Sequence, residues 1–251
     1  MSFLPSENNF TAGINAESYA YQEPAINSPN VEINGSHYGI DFAYTYYHPN
    51  DLMTKLSAEF ATGLVNYNGV GTFSNALDTL FNTRLLLGDE ILNSANFNII
   101  PYAGLGYRVL YNNLSVGTVN SVTDEHFPLR IIQYFYSPFG IMLISRISEK
   151  NALEWQFEYD QLWYGQVTTN AFLASPGVTL PKSINAQTQG YGLRGAFNFL
   201  IPKGRTLFSV GPFIHYWNIR TSNTITDSDG LQITEPSNST VEVGLNASVT
   251  F

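Results

Sequence analysis

The residues that could do chemistry are few and scattered. Four histidines, His37, His48, His126 and His215, stand on separate segments without the short spacing of a metal site. Cysteine is absent, which removes thiolate nucleophiles, Cys-ligated metals and disulfides. No glycine-rich loop opens a helix where it could cradle a phosphate, so no cofactor and no metal are expected. Two short units have catalytic composition, Asp124-Glu125-His126 and Asp227-Ser228-Asp229, both in Asp-rich polar segments where such spacing arises easily by chance. His215 lies beside Trp217, where a lone imidazole is more often an interior, hydrogen-bonded group than a catalyst, and no triad can be assembled from spacing alone. The ionic residues at alternate positions are more regular. Glu154, Glu158 and Asp160 oppose Trp155, Phe157 and Tyr159, and three acids on one face with three rings on the other cannot both meet water.

Alternation of that kind defines the elements that must position these groups. It runs to the last residue: Val241, Val243, Leu245, Ala247, Val249 and Phe251 are apolar, and the residues between them are polar or small. Strands are expected near residues 9–21, 36–47, 52–65, 79–88, 97–111, 129–145, 152–165, 189–201, 206–221 and 240–251, all in one domain spanning 1–251. The fourth is the least clean, because Leu86 falls on its polar face, and the facing of 206–221 is ambiguous. Pro138 predicts a bulge or bend in the sixth. Connections alternate, long after the odd-numbered strands and short after the even-numbered ones. Residues 66–78 read as one of the long loops.

Composition limits the class. The 251 residues are 44% apolar, 14% aromatic and only 12% charged, against about 25% charged in soluble domains. No apolar run approaches the roughly 18 residues of a spanning helix, so a membrane protein of this sequence must be a closed sheet. The reading is an all-β, transmembrane, antiparallel up-and-down barrel of about ten strands. A net charge of −9 argues against nucleic acid, which needs clustered Lys and Arg. A soluble barrel would instead carry a charged outer face with many lysines, and lysine is scarce here.

With the apolar face turned outward, Glu17, Asp41, Lys55, Glu59, Arg84, Arg108, Arg130, Glu154, Glu158, Asp160, Arg194, His215 and Glu242 collect inside. Charges withdrawn from water need partners, so Arg should pair with Glu or Asp across neighbouring strands. Such a network either fills a narrow barrel as a polar plug or lines a narrow wet channel whose selectivity it sets.

The terminal alternation ending on Phe251 resembles the C-terminal signature of bacterial outer-membrane β-barrel proteins. PYAGLGYR (Pro101 to Arg108), FEYD (Phe157 to Asp160), GYGLR (Gly190 to Arg194) and EPSNSTVEVGL (Glu235 to Leu245) are similar to strand motifs of uncharacterised proteobacterial outer-membrane barrels, and imply architecture rather than activity. The resemblance implies short turns and both termini on the periplasmic side. It also implies contact with outer-membrane lipids and lipopolysaccharide, and insertion by the barrel assembly machinery through the C-terminal strand. Tyr44, Tyr46, Trp155, Tyr159 and Phe251 would form the membrane girdle. Residues Met1 to Pro5 lack the basic and apolar regions of a signal peptide, so the chain reads as a mature form with that peptide removed. Ten strands is also the count of the omptin proteases, whose Asp pair and Asp-x-His unit resemble the two units named above. Here the order along the chain is reversed and the loops differ. The expected function is a narrow small-solute channel or structural porin-like barrel, monomeric or weakly oligomeric. The alternatives are a surface-binding, adhesin-type barrel acting through its outer loops, or a rim hydrolase.

Overall fold

Period-two alternation gives each strand one lipid-compatible face. In a bilayer the backbone N–H and C=O groups of such strands are all satisfied only if the sheet closes. The computed structural model describes residues 8–24, 30–49, 52–69, 71–94, 96–116, 118–119, 128–148, 150–175, 178–226 and 230–251, and it shows that closure. The barrel strands are β1 (Asn8–Glu23), β2 (Val31–Tyr47), β3 (Leu52–Asn68), β4 (Thr72–Asp89), β5 (Phe97–Asn113), β6 (Leu129–Arg146), β7 (Ala152–Thr169), β8 (Gly190–Lys203), β9 (Thr206–Ile219) and β10 (Asn238–Thr250). Each pairs antiparallel with the next, and β10 returns to β1 in register from Thr250 opposite Thr11 to Ser239 opposite Gln22. Beyond the seam, Phe10 and Phe251 exchange backbone hydrogen bonds of 2.9 and 3.2 Å, which carries the ladder to the final residue. The fold is an all-β, antiparallel up-and-down barrel of ten strands.

The structure corrects the reading of residues 66–78 as a long loop. β3 runs to Asn68 and β4 begins at Thr72, so the connection is short. The polar composition of that stretch hid a continuing ladder with one extra residue in β4: Val65 pairs with Ala76 but Tyr67 with Phe73. The extra residue is Asn75, at φ 60°, and its N–H donates to Asn66 Oδ1 at 3.3 Å. Phe73, Ala76 and Asp78 therefore all point inward and are buried.

The irregularity expected at Pro138 falls on the partner strand. Phe135 pairs with Tyr164 and Tyr136 with Leu162, leaving Trp163 as the extra residue of β7. Trp163 and Tyr164 both face outward, and Trp163 Nε1–H donates to Ser137 Oγ at 2.9 Å. Proline has no N–H for the ladder. On its other side, paired positions between β5 and β6 skip from Ala103–Phe139 to Gly106–Tyr136.

Exposed Ile14, Ile40, Phe60, Leu85, Leu105, Phe157, Leu193 and Leu245 give the barrel an apolar outer belt. In β9 the ambiguity resolves with Phe208, Val210 and Ile214 outward and His215 and Trp217 inward. The interior has three levels. At the long-connection end an apolar and aromatic layer includes Tyr19, Tyr21, Tyr67, Phe73, Tyr136 and Trp217. At the short-turn end a smaller layer holds Met53, Leu86, Ile100, Met142, Ile144 and Leu200. Leu86, out of place in the sequence pattern, belongs to this second layer. Most of the ionic side chains lie between the two.

Candidate functional site: a charge belt and a polar chamber

Strands five places apart in a ten-strand barrel face each other across its axis, so a bond between them must cross the lumen. Two ion pairs do this. Arg108 on β5 holds the carboxylate of Glu242 on β10 with both terminal nitrogens, one contact being Nη1 to Oε2 at 3.3 Å. Arg130 on β6 reaches Glu23 on β1 at 3.2 Å, also meets Glu235, and lies 5.7 Å from the centre of the Tyr21 ring. Arg84 on β4 spans to Glu158 on β7, with Nη1 2.9 and 3.1 Å from its two oxygens. These three pairs correct the expectation of bonding between neighbouring strands. The barrel is narrow enough for a guanidinium to reach past its neighbours, and planar two-pronged donors suit carboxylates. Arg194 on β8 does bond its neighbour β7, with Nε 3.1 Å from both Glu158 Oε1 and Asp160 Oδ2.

Two buried histidines each stand between two carboxylates. His215 Nδ1 is 2.9 Å from Glu242 and its Nε2 is 3.5 Å from Asp160. His37 Nδ1 is 3.0 Å from Glu17 and its Nε2 is 3.6 Å from Asp78. The second member of each set of distances is ion-pair range rather than a hydrogen bond. Rings pack round the belt: Tyr19 on His37 at 4.7 Å, and Trp217 on Tyr134, Tyr136 and His215 at 5.2, 5.2 and 5.4 Å. Tyr136 donates its hydroxyl hydrogen to Asn82 Oδ1 at 2.8 Å.

Below the belt, toward the short turns and the chain ends, lies a chamber of about 260 Å³. Asp41, Lys55, Glu59, Glu154, Asn82 and Gln156 are among its walls, and Thr11, Ser209, Ser248 and Thr250 line it where it reaches the ends of β1, β9 and β10. Asn246 donates to Asp41 at 2.6 Å, Asn15 to Glu59 at 3.1 Å and Asn198 to Glu154 at 2.9 Å.

The thirteen ionic residues named from the sequence thus divide. Glu17, Arg84, Arg108, Arg130, Glu158, Asp160, Arg194, His215 and Glu242 are ion-paired in the belt and above it. Asp41, Lys55, Glu59 and Glu154 line the chamber below, whose walls also include Glu17, Arg84, Arg194, His215 and Glu242 from the belt. Sequence reading missed His37 as a member, although its position on the same face of β2 as Gly39 and Asp41 carried the signal. It also missed Asp78, Glu23 and Glu235, which lie in stretches that read as loops. Of the ring residues, Tyr44, Tyr46, Trp155 and Phe251 lie near the short-turn end. Tyr159 sits higher, stacked on Tyr191 at 6.0 Å. His48 is a turn residue 3.0 Å from Thr54 Oγ1. Asp124-Glu125-His126 and Asp227-Ser228-Asp229 lie outside the described residues.

An interior of ionic pairs inside an apolar exterior defines a transmembrane-type barrel. No protein-family model matches the chain, and neither does any curated protein sequence. Among solved structures, the outer membrane protease OmpT from Escherichia coli superposes with a TM-score of 0.75 over 100% of this chain and 98% of that one, at 8% identity. OprG, an outer membrane protein from Pseudomonas aeruginosa, matches 97% of this chain and 96% of its own at 10% identity, with a TM-score of 0.47. At 8% identity the likeness to OmpT is one of fold, shared with a bacterial outer-membrane barrel, and it transfers no protease chemistry.

Proposed function

We propose that the chain is an integral, porin-like barrel of a Gram-negative outer membrane. A small polar solute enters the chamber from the periplasmic end, and passage outward requires the charge belt to open. The cross-axis pair Arg108–Glu242 carries this reading, because it spans the lumen between the chamber and the outer mouth. Charged groups at such a constriction set which solutes pass. The apolar exterior supports contact with acyl chains and lipopolysaccharide, and the ladder that continues through Phe251 supports insertion through the C-terminal strand. Single-channel recording in planar bilayers tests the reading. The wild type is expected to hold no steady open level, and an Arg108→Met/Arg130→Met variant is expected to show discrete steps. Steady steps from the wild type would mean that water already runs past the belt. Silence from both would leave a structural barrel.

One observation favours a second reading, action at the outer surface. Described residues of the two connections flanking β8 and β9 lock together: Asn185 Nδ2 donates to the carbonyls of Asn223 and Ile233 at 3.1 Å each, and Gln187 Nε2 to that of Arg220 at 3.2 Å. Glu235 then ties this cap to Arg130 inside. A fixed outer surface of this kind is a platform for an adhesin-type partner. Replacing residues 171–182 with a short turn would abolish cell-surface binding while the barrel still folds; unchanged binding would count against this reading.

A further inference from the structure

The acids inside the barrel fall into two groups. Those of the belt meet arginine or histidine, whereas Asp41 and Glu59 have no cationic side chain within 4.0 Å among the described residues and are held by neutral amides instead. They stand directly opposite each other across the β2–β3 ladder, both facing the chamber. Like charges in that position repel. Asn15, which orients Glu59, lines the same chamber, is only 8% exposed, and has an Oδ1 with no hydrogen-bond donor. Buried acceptors are almost always satisfied, so a carbonyl oxygen and two carboxylates at one wall call for a positively charged donor. Lys55 presents the reverse need. It lies four residues before Glu59 on the same inward face of β3, lines the chamber, and makes no ion pair within 4.0 Å among the described residues. Of the other acids lining the chamber, Glu154 is engaged by Asn198, and Glu17 and Glu242 are held by the histidines and arginine of the belt.

We infer that the chamber binds a small zwitterionic amine of amino-acid size, its ammonium on Asp41, Glu59 and Asn15 and its carboxylate on Lys55. The chamber of about 260 Å³ has room for roughly nine waters at ~30 Å³ each, enough for such a solute and its residual hydration. A metal ion is a poorer match, because among the described residues no three His, Asp or Glu side chains are arranged to hold one. The inference rests on the proposed entry of solute from the periplasmic end and names the class of solute.

Isothermal titration calorimetry on the purified full chain in detergent, with glutamine, putrescine, succinate and glucose as probes, tests it without requiring conduction. Glutamine is expected to bind at least tenfold more tightly than the other three. Asp41→Asn and Lys55→Met should each weaken glutamine tenfold or more, whereas Lys203→Met, at the last residue of β8, should not. Preference for putrescine would make the site cationic-only and overturn the inference, as would preference for succinate or glucose, or no heat with any probe. Because the wild-type panel decides alone, a variant that fails to fold does not protect the idea. The conductance experiment fails separately. A belt variant that conducts in a chain that binds no probe removes the ligand and keeps the passage. Glutamine binding with silent variants does the opposite.

Discussion

Removing Arg108 costs more than one contact, because the carboxylate it holds lies on the far side of the barrel, with His215 as its remaining ion-pair partner among the described residues. Breaking a buried pair by deleting one partner typically costs about 3–5 kcal/mol, and replacing both by apolar groups costs far less. Arg108→Met should therefore lower the urea stability of the vesicle-inserted barrel by about that amount, and Arg108→Met/Glu242→Met should recover most of it. Equal losses in the single and double variants would mean that the pair has no structural weight. The inward glycine Gly106 is under a tighter constraint. A Cβ there would stand inside the Tyr136 ring, forcing that ring off its bond to Asn82. Overpacking of this kind costs about 1–3 kcal/mol, so Gly106→Ala should destabilise by that much in the same assay. Gly195→Ala, whose Cβ would meet only Ile214 Cγ2 at 3.3 Å, should be near neutral. At this scale parity was enough to turn thirteen ionic side chains inward on paper. Partners were not legible, because alternation says which face a side chain takes but not how far a guanidinium reaches. Glu23 and Glu235 were hidden for a related reason, since they sit where polar composition suggests a loop.

Whole strands were readable wherever alternation was unbroken, and misread where one extra residue shifted it. β7 shows the mechanism: Glu154, Glu158, Asp160 and Leu162 turn inward, then Trp163 and Tyr164 both turn outward, and Gly165 and Val167 resume the interior. A bulge resets the period by one, so a template of fixed period loses the strand beyond it. In β4 the same shift at Asn75 made residues 72–78 look like loop and hid Asp78, the second carboxylate beside His37. Asn75 holds φ at 60°, a left-handed conformation that Asn and Gly tolerate and a β-branched residue does not. Asn75→Gly should leave stability within a few tenths of a kcal/mol, and Asn75→Val should lower it by about 1–3 kcal/mol, read from thermal unfolding followed by circular dichroism. A tolerated valine would mean that the hairpin adopts another register and that the buried position of Asp78 does not depend on the bulge.

For the molecule as a whole, the decisive property is which face meets which solvent. Sequence parity fixes the two faces but not their assignment, since a soluble barrel alternates equally well with its apolar side inward. In the structure Leu245 is 61% exposed and Leu193 45%, whereas Glu242, Arg108 and Asp160 are at most 3% exposed. An exterior of this kind is stable only against acyl chains, where a midplane Arg costs about 2–4 kcal/mol. Leu193→Arg, on the outer face between the flanking ring residues, should therefore reduce insertion into vesicles and lower the stability of the inserted barrel by that amount. In a barrel surrounded by water the same substitution would have the opposite sign, because a charge on an exposed apolar patch raises solubility. Measuring insertion yield and urea midpoint together thus gives a result whose direction decides the assignment. A variant that becomes soluble and stays folded without detergent would invert the assignment of the two faces, and the charge belt would then have to be explained as a core network rather than as the proposed gate.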